Sequence, residues 1–331
     1  VTAPIEVSGS ETEAQPDAVL AGVDRKAIQG RSLGQIAWLR LKRDKVAIGG
    51  GIVVMLLILM AVVGPFLVGD PNQPHNDLID PMLSRPKTGI MHSGISSHHW
   101  LGVDLPAGRD MLSRIVNGAK YSLIISFLAT ILAVVLGVFF GVVAGYFGGW
   151  VDTLIARTMD IFLAFPLLLF AIALVGVFPD SAFGLSGNGL RVAFLIFVIG
   201  FFSWPYIGRI IRGQTLSLRE REFVDAARSM GARAPYILFR ELLPNLWAPI
   251  LVYATLMIPT NIIFEASLSF LGVGIKAPTP SWGGMLNEAK EVYEVAPHFM
   301  FFPGMAIFIT VLAFNLFGDG LRDALDPRSS R

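Results

Sequence analysis

The passage EFVDAARSMGARAPYILFRELLPN, residues 222–245, holds the densest mixture of charge and apolar side chains between two long hydrophobic runs. Phe223, Ala226, Ala227 and Met230 fall at i, i+3, i+4 and i+7, which places them on one narrow helical stripe. Arg219, Arg221, Glu222, Asp225 and Arg228 occupy the flanks. Ser217-Leu218-Arg219-Glu220 fits a capping box and predicts a helix start there. Gly231 can take the left-handed conformation that ends a helix, and Pro235 suits the first turn of the next. Leu243 precedes Pro244 and Asn245, which are expected to close that second helix. Such an element can do recognition chemistry: a stripe with small residues at its centre fits a groove, and mixed charge at the rim sets register.

Other chemistry is sparse. No phosphate-cradling Gly-x-x-x-x-Gly-Lys-Ser/Thr occurs, nor His-Glu-x-x-His, nor Gly-x-Ser-x-Gly, so no nucleotide or catalytic site is visible. Cysteine is absent, which removes disulfides, thiolate metal sites and a Cys nucleophile. His75, His92, His98 and His99 crowd one loop and raise the question of a metal. Adjacent loop residues do not by themselves fix a coordination geometry, so surface histidines are the expectation, with no metal site. Asp160 and Glu265 lie near the ends of apolar runs, where snorkelling or end-pairing is expected ahead of a solute contact.

The surrounding sequence says where these residues must sit. The 331-residue chain is 53% hydrophobic and only 15% charged, against roughly 25% charged in soluble domains. That excess apolar content has to face lipid. A helix needs about 20 apolar residues to cross the hydrocarbon, and six runs approach that length: 46–68, 121–145, 158–178, 190–210, 246–268 and 299–317. Trp204, Pro205 and Arg209 interrupt the fourth. The expected fold is an all-α polytopic membrane protein of six transmembrane helices. Lys and Arg divide eighteen to eight between the two sides, which by the positive-inside rule puts both termini and the 209–245 loop in the cytoplasm.

The domain expectation follows. Residues 1–35 form an acidic, then basic, disordered tail, since 1–24 carry five acids and no Lys or Arg. Residues 36–68 are the cytoplasmic entry and first span, 69–120 an external loop, 121–317 a five-helix core containing the cytoplasmic element 212–245, and 318–331 a cytoplasmic tail. Gly137, Gly141 and Gly145 recur at spacing four, the small-xxx-small pattern that lets helix backbones approach; packing is favoured over a gating hinge.

Three readings compete for residues 217–244. An inert connector would not carry a capping box, a stripe and a Gly stop in register. A helix lying on the membrane favours a Lys/Arg-rich polar face, whereas residues 218–230 hold three Arg against Glu220, Glu222 and Asp225. Docking to a soluble partner is the leading reading.

These residues also resemble the cytoplasmic signature of inner-membrane permease subunits of ATP-binding-cassette importers: Glu-Ala-Ala, three residues, Gly, nine residues, Ile-x-Leu-Pro. Here Asp225-Ala226-Ala227, Gly231 and Glu241-Leu242-Leu243-Pro244 stand at that spacing, with Asp225 for the Glu and Glu241 for the Ile. LRLKRDKVAIGG, HWLGVDLPAGRDMLSRIVNGAKYSL, GYFGGWVD, EASLSFLGVGIKAPTPSWGGML and FNLFGDGLRDALDPR extend the resemblance over about residues 36–328, to the C-type subunit of dipeptide and oligopeptide importers. The resemblance implies the type I importer permease fold and a second, non-identical permease. It also implies two cytoplasmic ATPase subunits, which bind Mg-ATP in place of any cofactor in this chain, and an external substrate-binding protein. It assigns ATPase coupling to Glu222, Asp225, Ala226, Ala227, Arg228, Gly231, Leu243 and Pro244. Nickel, haem or another small solute remains open beside peptides. A secondary transporter or channel working alone, and a non-transporting membrane scaffold, are the rival classes.

Overall fold

The computed structural model describes residues 33–326, apart from 83, 84, 88, 90–92, 178–180 and 183. The expected tail therefore lies almost wholly outside the described residues. A short helix α1 (Leu33–Leu41) leads into the first span, α2 (Lys45–Leu67), whose N-terminus is capped by Asp44 accepting from the backbone of Val46 and Ala47. Two small antiparallel hairpins interrupt the connections, β1 (Ile79–Asp80) with β2 (Arg85–Pro86), and β3 (Ser181–Ala182) with β4 (Leu185–Ser186).

The remaining helices are α3 (Met111–Phe147), α4 (Gly149–Ala164), α5 (Leu167–Val177), α6 (Gly187–Leu218), α7 (Glu222–Ser229), α8 (Ala234–Tyr236), α9 (Leu243–Phe270), α10 (Trp282–Ala289) and α11 (Pro297–Leu325). Among them, α2, α3, α6, the continuous stretch Ala234–Phe270 and α11 are each long and apolar enough to cross a membrane. The expected third span differs from its prediction. It starts earlier, at Gly149, and breaks at 165–166 with a bend of 75° between α4 and α5. Pro166 is the cause: it drives Phe165 out of the helical region, to φ −75° and ψ 129°. The fourth run, by contrast, passes unbroken through Trp204 and Pro205, both buried in α6.

The expected external loop 69–120 is also shorter than predicted. Helix α3 begins at Met111, capped by Asp110, whose carboxylate accepts from the Ser113 N–H at 2.7 Å. The polar residues of its first turn read as loop in the sequence, yet Ser113 and Arg114 are buried there. They meet partners that only the fold supplies. Arg114 pairs with Asp104 at 3.3 Å and with Glu288 of α10 at 2.9 Å, and Arg109 bonds both acids at 2.7 Å. Burial pushes the Asp104 carboxyl up from its ordinary range, and Arg114 and Arg109 pull it back. Trp282, fully buried, donates from its ring N–H to the Ile115 carbonyl at 3.0 Å and seats α10 against α3.

The central packing is α3 along α6. A Cβ on Gly137 would come within 2.7 Å of the Trp204 carbonyl oxygen, one on Gly141 within 2.7 Å of the Gly208 carbonyl, and one on Gly145 within 2.9 Å of the Arg212 carbonyl. The three glycines thus form a strip where the backbones touch. Dispersion and close packing replace the hydrophobic effect as the adhesive in lipid. Buried Asn261 of α9 donates to Thr130 of α3 at 2.8 Å.

Two acidic residues separate here. Asp160 is end-paired with Arg209 and, at 3.5 Å, with Arg157. Glu265 neither snorkels nor end-pairs, contrary to expectation: it is fully buried and accepts from the Ser269 hydroxyl at 2.7 Å. Gly274 packs closely on Ser269, and Gly283 on Ala266 and Ser269, along the buried side of that end of α9.

Candidate functional site

The element at 217–244 is built on the ends of α6 and α9. Helix α6 does not stop where the capping box predicts. Ser217 lies in its last turn, and the next helix, α7, starts at Glu222 after Arg221, with no side-chain cap. Leu218 is the reason, because continuing the helix lets it pack against the clusters around both Ile211 and Val224. The Gly231 stop takes the predicted form. Its φ is +79°, the Ala232 N–H bonds the Ala227 carbonyl at 3.0 Å, and the Gly231 N–H bonds the Arg228 carbonyl at 2.9 Å. Pro235 sits in the first turn of α8.

Pro244 and Asn245 do not close the second helix. The chain runs from α8 through a π-helical stretch, Ile237–Leu242, directly into α9, with the Leu243 N–H bonding the Leu238 carbonyl. Pro244 has no N–H to give the Arg240 carbonyl, and a widened turn accommodates the missing bond and the ring. Asn245 covers a neighbouring acceptor, donating from its side chain to the Glu241 carbonyl at 2.7 Å. Leu243 is part-buried in the cluster formed with Ile211 and Leu246.

The stripe is divided between two faces. Val224 and Ala227 are buried with Ile237 and Leu242, with Tyr146, Leu218 and Phe223 packed around them. Ala227 therefore faces its own chain, packed beneath the exposed side of the helix. Ala226 is exposed, and Met230 is 82% exposed at the C-terminal end of α7. Glu222, Asp225, Arg228 and Gly231 are exposed beside them, and no atom lies within 4 Å of a Cβ built on Gly231. Arg228 donates to Asp225 at 3.3 Å, so the acid standing at the first signature position is held within its own helix.

Beneath the helix lie anchors of which Arg212, Asp152 and Tyr146 carry no signal in the sequence. Arg219 donates to the Gly145 carbonyl at 3.0 Å, covering the C-terminal end of α3, where cations are favoured. Arg212 grips Asp152 of α4 with two hydrogen bonds, one of 2.7 Å. The Arg228 guanidinium lies 5.7 Å from the Tyr146 ring centroid. The footing thus joins α3, α4, α6 and α9 to one small exposed helix. Such an arrangement can transmit a push from an attached body to four helices at once.

On the opposite end, His99 donates from Nδ1 to Asp110 at 2.9 Å and lies 4.9 Å, ring to ring, from His75. His98 is exposed, and His92 lies outside the described residues. Among the described residues no three His, Asp or Glu converge as a metal site would require.

Residues 137–331 match the model of a family described as binding-protein-dependent transport system inner membrane component. Residues 32–86 match the N-terminal transmembrane domain of oligopeptide transport permease C. The chain is 43% identical over 291 residues to the glutathione transport system permease protein GsiD of Escherichia coli O6:K15:H31, covering 88% of this chain and 89% of that one. It is 42% identical over 291 residues to the protein of the same name in Pectobacterium atrosepticum, covering 88% and 90%. Among solved structures, an inward-facing MetNI methionine ABC transporter aligns with TM-score 0.52 and 19% identity, covering 65% of this chain and 98% of the other, a likeness of fold.

The chain belongs to the binding-protein-dependent inner-membrane permeases of ABC importers, in their peptide and oligopeptide branch. It is a multi-pass inner-membrane protein with the all-α importer permease fold.

Proposed function

We propose that this permease forms half of a translocation pathway for small peptides and is driven by ATPase subunits docking on α7. One observation carries the reading: α7 is exposed, bears Met230 at its outer end, and is footed on α3, α6 and α9 through Arg219, Leu218 and Ile237. Glu222, Asp225, Ala226 and Arg228 form the contact rim, Gly231 makes the turn, and Leu243 and Pro244 pass the displacement into α9. Ala227 acts from below, as packing.

The eighteen-to-eight division of Lys and Arg supports a cytoplasmic α7 and cytoplasmic termini. Family membership supports ATPase and binding-protein partners, and the reading adds a second, non-identical permease. The chain then has no catalytic role and no cofactor of its own, and Mg-ATP is bound and hydrolysed by the partners. Closure of the ATPases biases a bundle with inward-facing and outward-facing packings. Relatives named for glutathione, itself a small peptide, support a peptide-type substrate.

The test is Met230→Glu in the assembled importer. Membrane insertion and pairing with the second permease should persist, while ATPase association and ATP-driven uptake fall at least tenfold. Unchanged uptake would sink the docking assignment. Uptake of glutathione, dipeptides, nickel and haem by a strain lacking the permease, with and without this chain, settles the substrate class.

A further inference from the structure

At the entry to the first span, four of the six residues from 40 to 45 are cationic: Arg40, Lys42, Arg43 and Lys45. Their spacing from the membrane is set by a tight turn. The N–H groups of Lys42, Arg43 and Asp44 bond the carbonyls of Trp38, Arg40 and Leu41 at 3.0, 2.9 and 3.1 Å. Asp44 then caps α2 through Val46 and Ala47 at 2.9 and 3.0 Å. After Lys45 α2 is apolar through Leu67, so the turn at 41–44 stands at the polar edge of a span-length apolar helix.

Three of the four cations are not consumed internally. Arg40 donates to the Asp326 carbonyl at 2.7 Å and ties the junction to the end of α11. Lys42, Arg43 and Lys45 are exposed, and among the described residues none of them is ion-paired. The nearest acid in sequence, Asp44, has Oδ1 committed to the helix cap. Apolar surface lies beside the charge: Trp38 is 58% exposed, Leu39 is 42% exposed, and the Lys42 ammonium sits 5.5 Å from the Trp38 ring centroid.

We propose that the α1–α2 junction binds the headgroup of an anionic phospholipid. Lys42, Arg43 and Lys45 hold the phosphodiester and its charge, and Trp38 and Leu39 rest on the start of the acyl chains. A soluble anion would use the cations but not the exposed indole and leucine next to them; a lipid uses both. Each cation at an anionic membrane surface contributes about fivefold in affinity. The junction is pinned to α11 through Arg40 and through the close packing of Ala47 on Gly320, so an occupied site steadies the first span against the last.

The full chain, reconstituted in nanodiscs, is titrated with phosphatidylglycerol or phosphatidylcholine brominated on its acyl chains. The Trp38 signal is the quenching difference between the parent and Trp38→Phe. Half-quenching should need at least fivefold less brominated phosphatidylglycerol than phosphatidylcholine. Lys42→Gln and Arg43→Gln should each erode the preference, and the K42Q/R43Q/K45Q variant should abolish it. Equal quenching by the two lipids, a preference that survives the triple variant, or loss of the preference to millimolar inorganic phosphate would each overturn the assignment.

Discussion

Gly231 and Gly141 are small for different reasons. Gly231 has open space around it and a φ of +79°, so its constraint is the backbone itself. Gly231→Ala should cost about 1 kcal/mol from the left-handed conformation alone, and Gly231→Val more, because branching at Cβ narrows the allowed region further. The loss should show as faster hydrogen exchange over 222–236, with the melting of the bundle barely changed. Gly141 is helical, and its Cβ would strike backbone, the Gly208 carbonyl at 2.7 Å and the Arg212 nitrogen at 3.1 Å. Backbone cannot rotate aside as a side chain can. Gly141→Ala should therefore lower bundle stability by about 1–3 kcal/mol, read as a drop in the detergent melting temperature. Gly213, helical in α6 with nothing within 4 Å of its Cβ position, is the control, and Gly213→Ala should raise stability by about 0.5–1 kcal/mol.

At the scale of the element, α7 has a buried side and an exposed side, and substitutions on the two should fail differently. Val224 is fully buried, so Val224→Ala should loosen α7 by about 2 kcal/mol. Hydrogen exchange of 222–229 measures that loss. Met230 lies in the open, and its replacement should leave exchange unchanged while altering only what binds. A periodic stripe was legible in the sequence, but not which side of it faced inward. Helical spacing groups Phe223, Ala226, Ala227 and Met230; the cluster around Ile237 and Leu242 selects Val224 and Ala227, and it forms only when residues beyond the Gly231 turn fold back. The capping box failed for a similar reason. A local signal at Ser217 was overridden by the burial available to Leu218 if α6 continued.

Over the whole molecule, the end carrying α10 is held by Asp104, Arg109, Arg114 and Glu288, contributed by a loop and two helices. Asp104 and Arg114 have fully buried side chains. Asp104→Ala should cost about 3–5 kcal/mol, since removing one partner leaves charge buried without its match. Release of the 69–110 segment to protease, before the bundle melts, is the expected sign; protection equal to the parent would show the cluster to be dispensable.

By itself the sequence determined the membrane class, the six apolar runs, the side on which positive charge accumulates, the Gly231 stop and the family signature. These rest on composition, length and short-range backbone chemistry, which the chain carries locally. Tertiary structure alone decided that Arg114 and Glu265 are buried, that α3 reaches back to Met111, and that Ala227 faces inward. Each of those depends on a partner far away in the chain. A polar residue is loop-like until an opposite charge arrives to satisfy it, and a stripe has no inner side until another helix covers one.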